Sequence, residues 1–399
     1  MIASCVIKSL HLPQLHSILD LSRVSSEIAA FQPDYLIFID HLPHPQNLIN
    51  YLWENKKLDP KLKLIFHVYG DFTYFYANWK KLNKPLLGFQ CLFLGASERQ
   101  VRLLSNFFSN SNCIALCPFS IDSNYFRFDK NRRELTRKEL GVKEGEKLVL
   151  YAGRLSQQKN AILLSQLFAQ MIKEDSSIHL ILAGPFDDLG APFFARRTIK
   201  GAYKFLWSSW HNELPNEVRS RITYLGNKSG DELLSLYCAS DLFTSLSTYH
   251  DEDFGMAPLE ALSTGLPCVL TDWAGFASFA IHQSCRLIRI DLEASGLKID
   301  TGNFFSTTRS LLGADQPSES ERLKVGMAYQ RNFSIEHIAN KISQLLKQEL
   351  PMFQGFKEEI RNFDSMSKPH SKAFNDSSSS DSHYSQIYGP YLKEQHDGH

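Results

Sequence analysis

The 399-residue sequence has no apolar run near the ~20 residues that span a bilayer, so no part of it reads as a transmembrane helix. Its first stretch, MIASCVIKSLHLPQLHS, lacks a basic start followed by an uninterrupted apolar core and makes a poor secretory signal. Neither charge is in excess, since Lys plus Arg and Asp plus Glu both total 43. A formal net charge of zero argues against a protein held on nucleic acid by bulk charge. The seven cysteines, Cys5, Cys91, Cys113, Cys117, Cys238, Cys268 and Cys285, are odd in number and contain no C-x-x-C pair. They indicate neither a disulfide framework nor a zinc site, and a reducing cytoplasm is the expected compartment. Any membrane contact is then peripheral, on the inner face. No internal repeat is present.

What remains is a globular composition, 43% hydrophobic and 22% charged. At this length two domains of about 150 to 200 residues are expected. A helical stretch at Ile18 to Phe31 leads into YLIFID, a short aromatic and β-branched run that reads as a buried strand. KLKLIFHVYGD (61–71) and CLFLGAS (91–97) repeat the arrangement, the latter followed by a helix, SERQVRLLSNFF. Strands alternating with helices predict a parallel sheet covered on both faces.

A polar segment from Asp129 to Glu146 interrupts this pattern, and the domain junction is placed there. Apolar runs resume at 147–154, 179–185, 221–227, 241–247 and 267–273, with a helix through Ala161 to Lys173 that carries one apolar face. Ser229 and Glu232 have the spacing of a capping box. The second half reads as a doubly wound sheet whose ligand lies beyond the carboxyl ends of the strands. From Asp364 the chain turns polar and serine-rich, with too little apolar surface to order itself, so 364–399 reads as a disordered tail.

The segment 240–276, SDLFTSLSTYHDEDFGMAPLEALSTGLPCVLTDWAGF, holds the densest chemistry. A strand ends, an acidic loop follows, and a helix opens at Gly255. Glu252 and Glu260 stand eight positions apart, one in the loop and one in the helix. Carboxylates accept hydrogen bonds from hydroxyls and free amides at a helix start face phosphate, a combination that suits a sugar nucleotide. An acidic loop with an ordinary helix cap is the plainer reading, and Gly255, Pro258, Gly265 and Pro267 around the two glutamates weigh against it. Upstream, YAGRLSQQKN places Gly153, Arg154 and Lys159 past a strand end, two cations suited to a diphosphate whose charge grows as a bond breaks.

Together these stretches resemble the E-x7-E region and the G-R-L-x-x-x-K segment of retaining glycosyltransferases of family 4, within the glycosyl transferases group 1. The resemblance covers residues 144 to 347 and only patches before them. It implies the α/β GT-B fold, two Rossmann-like domains facing a cleft, and a glycosyltransferase, most simply a hexosyltransferase. Such an enzyme moves a sugar from a nucleoside-diphosphate sugar to a hydroxyl acceptor, a saccharide or lipid-linked saccharide, in polysaccharide or glycolipid assembly. Anomeric retention is implied, with no cofactor and no catalytic metal, the nucleotide sugar being a substrate. Residue by residue, Glu252 takes the donor-sugar role and Glu260 the ribose role, with Gly153, Arg154, Lys159, Phe254, Gly255 and Met256 also on the donor. His67, at the end of a buried strand in FHVYGD, matches a histidine that relatives turn toward the reaction centre; a packed histidine is an equal reading. Asp71 lies on the acceptor side with less support. His41 and His44 in DHLPHP have metal-ligand chemistry, but a proline-rich turn explains them better.

PFSIDSNYF (118–126) resembles the hinge-side segment, RNFSIEHIANKISQLL (331–346) the closing helix, and PMFQGFKEEIRNF (351–363) a helix returning to the first domain. The expected organisation is an acceptor-side domain at 1–143, a donor domain at 144–347, a return helix within 348–363 and the tail. Two departures stand out: no glycine-rich loop precedes YLIFID, which makes the first domain shortened or divergent, and WAGFAS replaces the usual glycine pair and glutamate. Two rival functions stay open, a sugar-nucleotide epimerase on the same fold and a non-catalytic partner subunit. The insertion 193–210 sets Arg196, Arg197, Lys200 and Lys204 among seven large apolar side chains, a pattern that fits either an anionic lipid surface or packing of the aromatics onto a neighbouring domain.

Overall fold

The computed structural model describes residues 18–39, 44–68, 72–73, 76–188, 200–248, 252–293, 296–357 and 388–392. Four short parallel strands form the first sheet: β1 (Tyr35–Phe38), β2 (Lys63–His67), β3 (Cys91–Gly95) and β4 (Ile114–Leu116), in the order β1-β2-β3-β4. Its register aligns Phe38 with Phe66 and Phe66 with Phe93. Their rings stack at 4.9 and 4.8 Å, so side chains stand above one another on a single face and bury a continuous aromatic row. Ile65, Leu92 and Leu94 face the other way and pack against Ile338 and Leu350.

The second sheet contains β5 (Lys147–Ala152), β6 (Ile178–Ala183), β7 (Ile222–Tyr224), β8 (Leu242–Ser245), β9 (Cys268–Thr271) and β10 (Cys285–Ile288). All run parallel, in the order β10-β9-β8-β5-β6-β7. From β5 the chain first builds outward through β6 and β7, then returns to the far side of β5 and builds outward through β8, β9 and β10. The reversal leaves a crevice at the carboxyl ends of β5 and β8. An antiparallel hairpin, β11 (Ile290–Glu293) and β12 (Gly296–Ile299), follows.

Several expectations need correction. The helix after β7 runs Asp231–Ala239 with Gly230 as its N-cap and no side-chain cap, so Ser229 does not form the expected box; Glu232 pairs instead with Lys228 at 2.6 Å. A true capping box occurs at Ser318 and Glu321. The closing stretch breaks at Ser334, which ends the helix Glu319–Phe333 and caps Ile335–Leu346. Residues 351–357 come back to the first sheet as extended chain, not helix. Pro351 accepts from the Cys91 amide, Phe353 exchanges bonds with Gly88 and Phe89, and Lys357 donates to Phe107. Gly355 at φ +100° turns the chain so that Phe353 and Phe356 both enter the aromatic core, Phe356 within 4.8 Å of Phe108. The expected disordered tail also has an exception. Tyr388 and Tyr391 are buried, because their rings find aromatic partners that serine-rich neighbours lack. Of 358–399, only residues 388–392 are described.

Arg322 locks the second domain. It is 3% exposed and stacks over Phe128, with its guanidinium 4.2 Å from the ring centre. Its nitrogens donate to the carbonyls of Thr264, Cys238, Ser240 and Tyr237, the otherwise open ends of two helices. Burial lowers its pKa to about 9. Beside it Gly265 and Gly326 allow close backbone approach, since a Cβ on Gly265 would meet Arg322 O at 2.0 Å. Arg322→Met should leave these carbonyls without donors and cost on the order of 3 kcal/mol. For a domain of this size the melting temperature should then fall by about 6–12 °C. Calorimetry of the purified variant tests this, and an unchanged transition would contradict it.

Candidate functional site

The crevice between β5 and β8 collects most of the residues singled out in the sequence. β5 leads into Gly153 at φ +148°, and β6 into Gly184 at φ +139°. A Cβ on Gly184 would stand 1.9 Å from Gly153 O, so the two strand ends touch backbone to backbone. The Tyr151 hydroxyl donates to Arg154 O at 2.6 Å and fixes the turn. Arg154 then reaches Asp187 at 2.9 Å.

Five residues on, Lys159 Nζ lies 2.5 Å from Glu252 Oε2, with side chains 16% and 9% exposed. Asn160 adopts φ +53° ahead of the helix Ala161–Glu174, and its amide donates to Leu246 O at 2.7 Å and Thr248 Oγ1 at 3.0 Å. This amide ties the segment after β5 to the segment after β8 across the switch point.

The loop carrying Glu252 is braced from behind, where the Gly275 amide donates to Glu252 O at 2.8 Å. For Phe254 the expected donor contact is through its backbone amide, and the side chain is turned away into the core. Its side chain is 1% exposed and packs edge-on against Phe119, Phe279 and Phe333, which leaves only its backbone for a ligand. Gly255 at φ +99° turns into the helix Met256–Ser263, and a Cβ there would lie 2.5 Å from the Phe276 ring. Met256 is 37% exposed at the helix start. On that helix Glu260 accepts from the Tyr237 hydroxyl at 2.8 Å. Burial raises its pKa, against the opposing effect of that phenol.

His67 comes from the other sheet. Its ring stacks on Phe119 at 5.7 Å, and Phe119 meets Phe254 at 5.5 Å, so an aromatic relay joins it to the Glu252 loop. Burial lowers its pKa to about 4, which leaves the imidazole neutral at physiological pH. Asp71, His41 and the side chain of His44 lie outside the described residues.

The structure thus brings Lys159 and Glu252 into contact and sets Arg154 at the end of the same strand, while Glu260 is held by Tyr237 on the following helix and His67 reaches the Glu252 loop through Phe119 and Phe254. It adds Asp187, Asn160, Tyr237, Thr248 and Phe119. Of these only Asn160 carries a readable signal, a turn-forming residue directly before a periodic helix. The others are identified by chain distances that spacing does not reveal. Chemically, Arg154 and Lys159 are each held by a carboxylate, a pairing that an incoming polyanion exchanges for its own charge.

Residues 132–291 match the family described as glycosyl transferases group 1. The lipopolysaccharide core biosynthesis mannosyltransferase LpsB of Rhizobium meliloti is 30% identical over 232 residues, 56% of this chain and 57% of that protein. The lipopolysaccharide 1,2-N-acetylglucosaminetransferase of Salmonella typhimurium is 27% identical over 156 residues, 39% of this chain and 38% of that protein. The matched stretches therefore span less than two thirds of either relative's length. Among solved structures, Anabaena HepE in complex with UDP and glucose superposes with a TM-score of 0.62 at 16% identity, over 82% of this chain and 81% of that one. Sucrose-phosphate synthase from Thermosynechococcus elongatus gives 0.60 at 16% identity over 85% and 80%. The fold is GT-B, two Rossmann-like domains facing a cleft, with four strands in the first among the described residues.

The raised pKa of Glu260 has a measurable consequence. Between its ordinary value near 4.5 and its elevated one, the folded chain keeps a proton that the unfolded chain releases. Stability is therefore lost as pH rises through that window. Glu260→Gln, neutral throughout, should melt above the wild type at pH 7, and the gap should close below about pH 4.5. Equal melting temperatures at pH 7 would mean that the surroundings fully compensate the carboxylate.

Proposed function

We propose, from the place of residues 132–291 in the glycosyl transferases group 1 family, that the chain transfers a sugar from a nucleoside-diphosphate sugar to a hydroxyl acceptor. The Lys159–Glu252 pair at the β5/β8 switch point carries the reading. A crevice at this point of a doubly wound sheet accepts nucleotides, and the pair supplies one group for phosphate and one for sugar hydroxyls. In this scheme the diphosphate draws Lys159 from Glu252 and Arg154 from Asp187. Glu252 is then released toward the donor sugar, while Glu260, oriented by Tyr237, accepts from the ribose. Gly153, Gly255 and Met256 leave backbone exposed to the donor.

The two cations offset the charge of the leaving diphosphate, so the scheme needs no metal and no cofactor. Retention of configuration follows if the acceptor enters on the face that the diphosphate leaves, with a phosphate oxygen taking its proton. His67, held neutral, serves as a hydrogen-bonding group for sugar or acceptor and carries no charge. The named relatives act in lipopolysaccharide synthesis, and a saccharide or lipid-linked saccharide acceptor in polysaccharide or glycolipid assembly is the matching proposal here.

No described helix is long and apolar enough to cross a membrane. We place the enzyme in the cytoplasm with peripheral contact at the inner membrane face. Support comes from the helix Ala202–Asn212, which divides the aromatics of the insertion. Tyr203 and Trp207 turn inward, Trp207 donating to Ser165 at 3.1 Å, while Phe205 is 71% exposed beside Lys204. Of the four cations, Arg196 and Arg197 lie outside the described residues.

Calorimetry with UDP against uridine tests the donor assignment. Lys159→Ala or Arg154→Ala should weaken UDP by about 10- to 100-fold, the range of a charge-assisted bond, and uridine hardly at all. Glu252→Ala should spare UDP and abolish turnover. The pH profile should show no break near 6.5 from His67. Equal losses for both ligands would exclude the diphosphate role, and failure to release nucleoside diphosphate with any acceptor would favour the epimerase.

A further inference from the structure

Tyr388–Leu392, inside the stretch expected to be disordered, sits where the two domains meet. A short turn, Gly389–Tyr391, ends on one buried tyrosine and is capped by another, Tyr388. The Tyr388 hydroxyl lies 2.7 Å from Thr73 Oγ1, in the loop that follows the strand ending at His67. Tyr391 O accepts from Arg99 at 2.9 Å. Arg99 belongs to the first domain, in the helix Glu98–Ser105, and also binds the carboxylate of Asp272 at 2.7 Å and its carbonyl at 3.1 Å. The Tyr391 ring stands edge-on to Trp273 at 5.6 Å. Its hydroxyl donates to Asp253 Oδ1 at 3.0 Å.

Asp253 is 7% exposed and directly follows Glu252. Against the 272–276 segment the loop has no slack, because a Cβ on Gly275 would stand 2.2 Å from Asp253 O. The loop is therefore held both by that segment and by Tyr391. Packing alone would need only the ring against Trp273. The phenol does something further, since it supplies a donor to a buried carboxylate one residue from Glu252.

We propose that Tyr391 is a positioning residue. Its hydroxyl fixes the Glu252–Phe254 loop through Asp253, and the 388–392 turn clasps the donor domain to the first domain through Arg99 and Thr73. The inference rests on the reading of Glu252 as a donor-sugar residue. A displacement of about 1 Å at such a group lowers turnover by up to 100-fold while ligand affinity elsewhere is kept.

The test uses the full chain, Tyr391→Phe and a form ending at residue 387. Tyr391→Phe retains the ring contact with Trp273 and removes only the donor. It should lower kcat about tenfold, the equivalent of one hydrogen bond to a charged group. The Kd for UDP and the melting temperature should stay within twofold and about 2 °C. The shortened form should lose more, about 100-fold if the clasp opens. Hydrogen exchange of the peptide spanning 252–256 provides a second readout that does not depend on catalysis, and Tyr391→Phe should speed it about tenfold. Unchanged kcat with unchanged exchange would overturn the proposal. So would a fall in kcat matched by equal loss of UDP affinity and melting temperature, the result of general loosening. A wild-type chain that turns over no donor would instead count against the proposed function, and the exchange experiment would still decide the role of Tyr391.

Discussion

The parting of β5 and β8 at the centre of the second sheet is the constraint on which the rest depends. Neighbouring parallel strands whose connections leave in opposite directions cannot fill the space above their ends with their own loops. Arg154, Lys159, Asn160 and Glu252 are arranged around that gap. The backbone contact of Gly153 with Gly184 brings the end of β5 close to β6. The Asn160 amide bridges to the segment after β8, and Lys159 and Glu252 meet across the opening. With a larger residue at 184 the strand ends could not approach, and the cations would be displaced from the carboxylates.

This part of the molecule was the most legible from sequence, for a physical reason. Strands buried on both faces are nearly continuous apolar runs; β5, β8 and β9 fall within the runs read at 147–154, 241–247 and 267–273, and β6 starts one residue before the run read at 179–185. Turn glycines and the charges after strand ends are local features, so Arg154, Lys159, Glu252 and Glu260 were visible as candidates. β4 and β10 went unread, the latter because Arg286 interrupts its apolar letters. Partners joined by distant chain segments were also invisible. Asp187 for Arg154 and Tyr237 for Glu260 are of this kind. The same limit produced the error in the tail, since a low average hydropathy conceals two tyrosines that find specific partners 138 and 315 residues away.

The second domain also shows how a charge is kept in a core. Arg322 donates to helix-end carbonyls whose dipoles point toward it, and the buried Asp241 carboxylate favours its charge through space. The helix that carries Glu260 ends on this arginine. The position of the glutamate is therefore set at one end by Gly255 and at the other by a group far along the chain.

The extended strap at 351–357 carries a consequence for biosynthesis. Phe353 and Phe356 complete the aromatic core whose other members, Phe66, Phe93 and Phe108, leave the ribosome much earlier. The whole second domain is made in between. At about 5–20 residues per second the first sheet emerges on the order of ten seconds or more before its last wall exists. During that interval its apolar face is open to chaperones and to other nascent chains. A message truncated anywhere before codon 353 would yield a first domain that never closes, even if every strand of its sheet were intact.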